Sequence, residues 1–304
     1  MEREVSSDVS SASGYGEKMK ELTVISGKGG TGKTSLTAAF ASLVKNAVFA
    51  DCDVDAADLH LILKPEVKKT IDFQGLQIAS INNAICIDCK KCYESCRFHA
   101  IDETITLRKE SCEGCGVCAY VCPVDAITMV ERHSGYAYLS DTRFGPLAHA
   151  TLRTAEEASG KLVTMVRNIA SGVAKEKNKD FVIIDGPPGI GCPVIASITG
   201  VDLVVIVTEP TLSAIHDLER VLGVAQHFHI PAVVCINKST INPENTSMIE
   251  QYCKKNSIPL VGTLPYDTII TQAMIHEQSI IEFSDGILSQ RIREMWNKIL
   301  TYIK

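Results

Sequence analysis

Six short apolar runs punctuate the chain, at residues 22–26, 47–51, 181–185, 203–208, 232–236 and 260–264, most of them rich in Val, Ile or Leu. Runs of this length without polar alternation predict strands buried on both faces. Between them the apolar period lengthens to that of a helix, at 35–44, 151–174, 212–227 and 287–303. Strands alternating with helices predict an α/β fold, a doubly wound and mostly parallel sheet, and 304 residues with 45% apolar content suffice for one large core. The alternation stops between 84 and 131, where a small α+β domain is inserted. Residues 66–83 and 132–147 are mixed and glycine-containing and predict connectors, which leaves 19–65 and 148–304 as the main domain. Residues 1–18, rich in Ser, Gly and charge, predict a disordered tail, and Met19 is a second candidate start.

The insertion carries the most specific chemistry. Cys86, Cys89, Cys92 and Cys96 repeat 26 positions later as Cys112, Cys115, Cys118 and Cys122, and the repeat extends to Ala100-Ile101 against Ala126-Ile127. Pro123 follows the second run and Arg97 the first. Pairs of CxxC also suit zinc, but two runs of four with a Cys-Pro ending have the spacing with which bacterial ferredoxins hold two [4Fe-4S] clusters. In that arrangement three thiolates of one loop wrap a cluster and the fourth reaches its neighbour. Cluster one therefore takes Cys86, Cys89, Cys92 and Cys122, and cluster two takes Cys112, Cys115, Cys118 and Cys96.

A phosphate loop follows the first strand at once. Gly27-Lys28-Gly29-Gly30-Thr31-Gly32-Lys33-Thr34 satisfies G-x-x-x-x-G-K-[ST] between a strand and a helix. Glycines let backbone N–H groups converge on phosphate oxygens, Lys33 reaches the outer phosphates and the Thr34 hydroxyl can ligate Mg²⁺. The strand ending at Asp185 delivers a carboxylate toward that metal, and Asp51 and Asp53 stand at the end of another strand, where α/β ligands bind. ATP with magnesium is the expected ligand.

Lys28 within Lys-Gly-Gly-Thr-Gly-Lys-Thr, together with Asp185-Gly186-Pro187-Pro188-Gly189, resembles the deviant phosphate loop and second switch of the MinD, ParA and nitrogenase iron protein class. From residue 20 to 304 the chain resembles MinD-superfamily ATPases with an inserted ferredoxin domain. The resemblance implies an ATP-dependent homodimer in which Lys28 reaches the partner's phosphates. It implies that Asp53 positions the attacking water, with Asp51 in the metal shell, and that Asn237, Pro265 and Asp267 contact adenine. It implies a hydrolysis cycle that gates electron transfer through the two clusters, serving reduction or cofactor assembly of an unidentified partner protein. A cluster carrier, or a MinD-type positioning switch with a redox sensor, are the alternatives.

A net charge of −6 without a dense Lys/Arg run argues against nucleic acid as a partner. No apolar signal core opens the chain and no long apolar run interrupts it, so the expected compartment is the reducing cytoplasm. The last helix, with Ile287, Leu288, Ile292, Met295, Trp296 and Ile299, is expected to pack on the sheet rather than lie on a membrane. Cys235 and Cys253 read as small core residues and Cys52 as pointing away from the phosphates. Cys192 lies seven positions after Asp185, where the nitrogenase iron protein places a ligand, but the second thiolate that such a site needs is missing.

Overall fold

A computed structural model describes residues 19–153 and 159–303; the expected tail at 1–18 lies outside the described residues. The chain begins with β1 (Lys20–Ser26), α1 (Lys33–Leu43), β2 (Ala47–Asp51) and the short α2 (Leu59–Leu63). Two long strands, β3 (Glu66–Ile81) and β4 (Ile127–Thr142), bracket the insertion, which contains α3 (Lys91–Ser95) and α4 (Val117–Tyr120). There follow β5 (Gly145–Leu152), α5 (Ser159–Glu176), β6 (Phe181–Pro188), α6 (Cys192–Ile198), β7 (Leu203–Thr208), α7 (Ala214–His227), β8 (Ala232–Ile236), α8 (Pro243–Lys255) and β9 (Leu260–Thr263). Three helices close the chain: α9 (Ile269–Ile275), α10 (Ile280–Phe283) and α11 (Ile287–Leu300).

All of these strands join one sheet in the order β3-β4-β5-β2-β6-β1-β7-β8-β9. From β5 to β9 the pairing is parallel, and β3 and β4 add an antiparallel edge. The central strands are buried on both faces, and their side chains alternate between two cores. Ile25 joins Leu162, Val194, Leu218 and Ile249 on one side, whereas Leu22 and Val24 join Phe40, Leu59, Ile280 and Ile292 on the other. That division is the doubly wound architecture expected from the six apolar runs.

The edge departs from expectation. Residues 66–83 and 132–147, read as connectors, fold as β3, as most of β4 and as the start of β5, so the inserted unit leaves and re-enters the main domain as sheet. Their sequences hide this for a physical reason. Residues 66–70 of β3 are exposed and carry Glu66, Lys68 and Lys69, the charge that protects a sheet edge, so no apolar period is left to read. Helical periodicity was likewise expected from residue 151, but β5 runs to Leu152 and α5 starts at Ser159.

Candidate functional site

The phosphate loop connects β1 to α1 at the point where strand order reverses, with β6 on one side of β1 and β7 on the other. In a parallel sheet such a switch point leaves a crevice at the carboxyl ends of the strands. Gly32, the residue before α1, has φ 90°, and a Cβ there would overlap the Asn237 amide, so only glycine fits. The first-turn N–H groups of α1 have no helical carbonyl to bond and face the loop. A cavity of about 310 Å³ opens here, lined by Ser26, residues 29–35, Asp53, Ala56, Asp58, Pro188 and Met274.

Four expected residues meet in this crevice. Lys33 Nζ lies 3.1 Å from Asp185 Oδ1 and 3.2 Å from Asp53 Oδ2. Thr34 Oγ1 donates to Asp185 Oδ2 at 2.7 Å, and Thr37 Oγ1 donates to Asp185 Oδ1 at 3.0 Å. Burial opposes the charge on Lys33, but Asp185 and Asp53 outweigh it and hold the ammonium above its ordinary pKa. Burial raises the Asp53 carboxyl in spite of Lys33. The Thr31 hydroxyl is buried at the loop and has no hydrogen-bond partner among the described residues. A buried orphan donor, a lysine and a threonine hydroxyl next to carboxylates fit a magnesium-bound nucleotide phosphate.

Asp51 sits differently from expectation. It is fully buried, does not line the cavity, and accepts from the backbone N–H groups of Asp53 and Leu59, both at 3.2 Å. It ties the loop carrying Asp53 to the first residue of α2. Burial and the adjacent Asp185 push its carboxyl well above the usual range. Asn237 donates to Thr31 O at 2.8 Å and so supports the phosphate loop from behind. Pro265 is outside the phosphate cavity, and Asp267 accepts from Ile269 N–H ahead of α9.

Lys28 turns away from the crevice. Its Nζ lies 2.9 Å from Glu209 Oε1 and 3.0 Å from Thr211 Oγ1. Lys238 takes the other Glu209 oxygen at 2.8 Å and also donates to Gly30 O at 2.7 Å. Burial opposes ionisation of Glu209, but hydrogen bonds from Lys238 and Lys28 hold its carboxyl below the usual range. Sequence reasoning missed Glu209, Lys238 and Met274. For Glu209 a signal existed, because it directly follows the last residue of β7 on the ligand side of a parallel sheet.

The eight cysteines of the insertion divide between two cavities. One is lined by Cys86, Cys89, Cys92 and Cys122; the other by Cys96, Cys112, Cys115 and Cys118. The halves match in backbone as well as sequence. Asp88, Lys90 and His99 adopt left-handed φ of 52°, 60° and 50°, and Gly114, Gly116 and Asp125, each 26 positions on, have 64°, 75° and 51°. Ala100 N–H donates to Cys96 Sγ at 3.3 Å, and Ala126 N–H to Cys122 Sγ at 3.2 Å. Ala100, Ile101, Ala126 and Ile127 are buried. Among the described residues no three His, Cys, Asp or Glu side chains converge on an ion-sized position. Two sets of four thiols at ferredoxin spacing, each set lining one cavity, fit two iron-sulfur clusters. Gly114 packs over the Gln77 carbonyl of β3, where any side chain would clash, and fixes the second cysteine loop to the long ribbon.

The other four cysteines stand apart from these cavities. Cys52, Cys235 and Cys253 are buried, and Cys192 is exposed at the start of α6.

A P-loop nucleotide site on a doubly wound sheet, with paired four-cysteine cavities on an inserted ribbon, defines an ATPase-type fold that carries an iron-sulfur domain. The 4Fe-4S dicluster family matches residues 79–129. The uncharacterised protein MJ0578 of Methanocaldococcus jannaschii is 33% identical over 286 residues, covering 93% of this chain and 97% of that one. The septum site-determining protein MinD of Bacillus subtilis is 24% identical over 290 residues, 92% of this chain and 88% of that protein. In fold, the chain is similar to MinD of Pyrococcus horikoshii solved with Mg-ADP, at a TM-score of 0.58 and 15% identity, covering 93% of this chain and 96% of that one. MinD of Aquifex aeolicus gives 0.54 at 19% identity, covering 93% and 97%. The chain belongs to the same family as MJ0578 and is similar to the MinD/ParA-like P-loop ATPases, in a form that carries an inserted 4Fe-4S domain. Among the described residues no helix is long and apolar enough to cross a membrane.

Proposed function

We propose that the protein hydrolyses ATP and that its nucleotide state gates electron transfer through two [4Fe-4S] clusters, for the reduction or cofactor assembly of a partner protein in the cytoplasm. The observation that carries this reading is the path of one strand. Asp51 ties the Asp53 loop to Leu59 of α2; β3 starts three residues after α2 and runs to Ala79, which lines a cysteine cavity. A displacement of the Asp53 loop therefore has a continuous covalent route to the clusters.

In this reading Lys33, Thr34 and Asp185 hold magnesium and phosphate, and Asp53 orients the attacking water, because phosphoryl transfer needs positioning and charge neutralisation above all. Lys28 leaves Glu209 to reach the phosphates of a second copy. Asp51 supports the switch from behind, while Asn237, Pro265 and Asp267 flank the adenine. Cys86, Cys89, Cys92 and Cys122 hold one cluster, and Cys112, Cys115, Cys118 and Cys96 the other. Residues 84–131 act as the redox unit, joined by 66–83 and 132–147 to an ATPase unit of 19–65 and 148–304.

Coupling of this kind is reciprocal, so ATP must shift the cluster potential by the free energy with which reduction shifts ATP affinity. Couplings of about 1 to 3 kcal/mol correspond to roughly 40 to 130 mV for one electron. Potentiometric titration of the anaerobic protein with and without a non-hydrolysable ATP analogue measures it. No shift, with equal ATP affinity in both redox states, removes gating and leaves the cluster-carrier reading.

The MinD relatives favour a second reading, a positioning switch with a redox sensor, for which ATP-dependent vesicle binding is the test. Against a membrane role for the last helix, Leu288, Ile292, Met295, Trp296 and Ile299 of α11 are buried in the core beneath α1.

A further inference from the structure

The two halves of the insertion act as controls for one another. Each cavity is bordered by four thiols, each receives one matched N–H···S bond, and each has one exposed cysteine, Cys89 or Cys115. Charge is what differs. Among the described residues, the only charged side chains lining the first cavity are Lys90 and Lys91, and the only one lining the second is Glu113. At the positions equivalent to Lys90 and Lys91, 26 residues on, stand Gly116 and Val117, and Glu113 is the counterpart of Ile87.

Both lysines are exposed beside Cys89, and next to them Ile87 and Ile85 are 60% and 48% exposed. Asp88 in that loop and Glu94, one helical turn beyond Lys90, balance the two lysines in number, but neither carboxylate lines the cavity, so the mouth beside Cys89 is bordered by cations on a chain whose net charge is −6. A small apolar centre with a cationic rim, directly over a redox centre, has the anatomy of a transient electron-transfer interface. On a negatively charged chain, long-range repulsion turns an acidic partner away from most of the surface and toward this edge.

We propose that the Cys89 edge, with Lys90, Lys91, Ile85 and Ile87, is the docking surface for an acidic electron-carrier protein. The cluster held by Cys86, Cys89, Cys92 and Cys122 is then the port at which electrons enter. In the transfer the reduced carrier loses one electron and the cluster gains one, with no bond or proton change. The inference rests on the electron-transfer reading above and adds the port and the charge of the partner.

The test uses the anaerobic holoprotein and, as probe, a reduced acidic [2Fe-2S] ferredoxin. Stopped-flow mixing measures the second-order rate and its salt dependence, and titration calorimetry with the oxidised probe measures binding. Electrostatic steering raises association by about 10 to 1,000-fold and falls with ionic strength. Reversing two charges (Lys90→Glu with Lys91→Glu) is expected to lower the rate at least about tenfold at low salt and to remove the fall with salt, and Lys90→Gln with Lys91→Gln to lie between. The control pair Lys254→Glu with Lys255→Glu, exposed at the end of α8, changes overall charge equally and is expected to leave the rate within about twofold. Equal rates and binding in the wild type and the Lys90/Lys91 variants, or an equal loss in the control pair, overturn the docking surface. Iron content and the EPR signal after chemical reduction separate the two claims. Protein that holds reducible clusters but ignores Lys90 and Lys91 refutes the port alone, and protein without iron refutes the electron-transfer reading as well.

Discussion

Lys28 Nζ lies 2.9 Å from Glu209 Oε1, so the additional cation of the phosphate loop is engaged by a carboxylate of its own chain. For Lys28 to act on a second copy's phosphates, this contact must open. A partly exposed pair contributes up to about 1 kcal/mol, and Glu209→Gln should therefore tighten ATP-dependent dimerisation by up to about fivefold. Lys28→Ala should keep nucleotide binding and lose hydrolysis, because a phosphate-facing cation supplied by the partner follows the physics of an arginine finger, worth about 10³ to 10⁵ in rate. Sedimentation with a non-hydrolysable analogue, read against turnover, checks both. A Lys28→Ala protein that hydrolyses at the wild-type rate removes the trans role.

Lys33 is the buried cation between Asp53 and Asp185. Lys33→Ala should abolish nucleotide binding and also destabilise the ligand-free protein, since removing one partner leaves buried carboxylates uncompensated at a cost of about 3 to 5 kcal/mol. Asp53→Asn should bind ATP with little change and fail to turn it over. Calorimetric binding and thermal melts of the same variants separate the two roles, and Asp53→Asn turning over at the unaltered rate shows that another group positions the water.

The six central strands and the phosphate loop were legible because a strand buried on both faces writes an uninterrupted apolar run, and because G-x-x-x-x-G-K-[ST] admits few structural contexts. The cysteine pairing was legible for a similar reason, the repeat of spacing being stronger than any propensity. Three strands were not. β3 is charged at its exposed edge, β4 alternates between ribbon and sheet environments, and β5 packs with small residues such as Ala148 and Ala150 that carry little periodic signal. Glu209 and Lys238 were missed because their partners, Lys28 and Gly30, are some 180 to 208 positions away in sequence, a relation that only the closed sheet creates. Asp51 was placed in the right strand, but its two backbone donors depend on how the chain turns into α2.

Burial on β5 gives a measurable pH dependence. His149 stacks on Tyr138, shares a hydrogen bond with Ser140 at 2.8 Å, and has its pKa lowered to about 4 by burial, with His60 adding to the effect. A histidine depressed in the folded state binds its proton more readily when unfolded. Its contribution is therefore complete above the unfolded pKa near 6.5 and is lost as pH falls toward 4, by at most about 3 kcal/mol. Thermal melts of wild type should drop more steeply between pH 7.5 and 5.5 than those of His149→Gln. Parallel curves for the two proteins show that other groups dominate in this window.

The exchange of the fourth ligand between the halves makes a sharper prediction than iron content alone. Cys122 belongs to the second sequence run but to the cavity of Cys86, Cys89 and Cys92, and Cys96 lies in the reverse position. The wild type should carry about eight iron and eight sulfide, and Cys89→Ala about four of each. Combining Cys89→Ala with Cys122→Ala should cost no more than Cys89→Ala alone, since both strike one cluster. Combining Cys89→Ala with Cys96→Ala, two residues of the same run, should remove both clusters. Such non-additivity is the signature of residues that share a site. Iron and sulfide analysis with EPR of the reduced proteins reads the wild type and all three variants, and the opposite pattern, with the Cys89/Cys96 pair behaving as one site, would mean that each run closes on its own cluster.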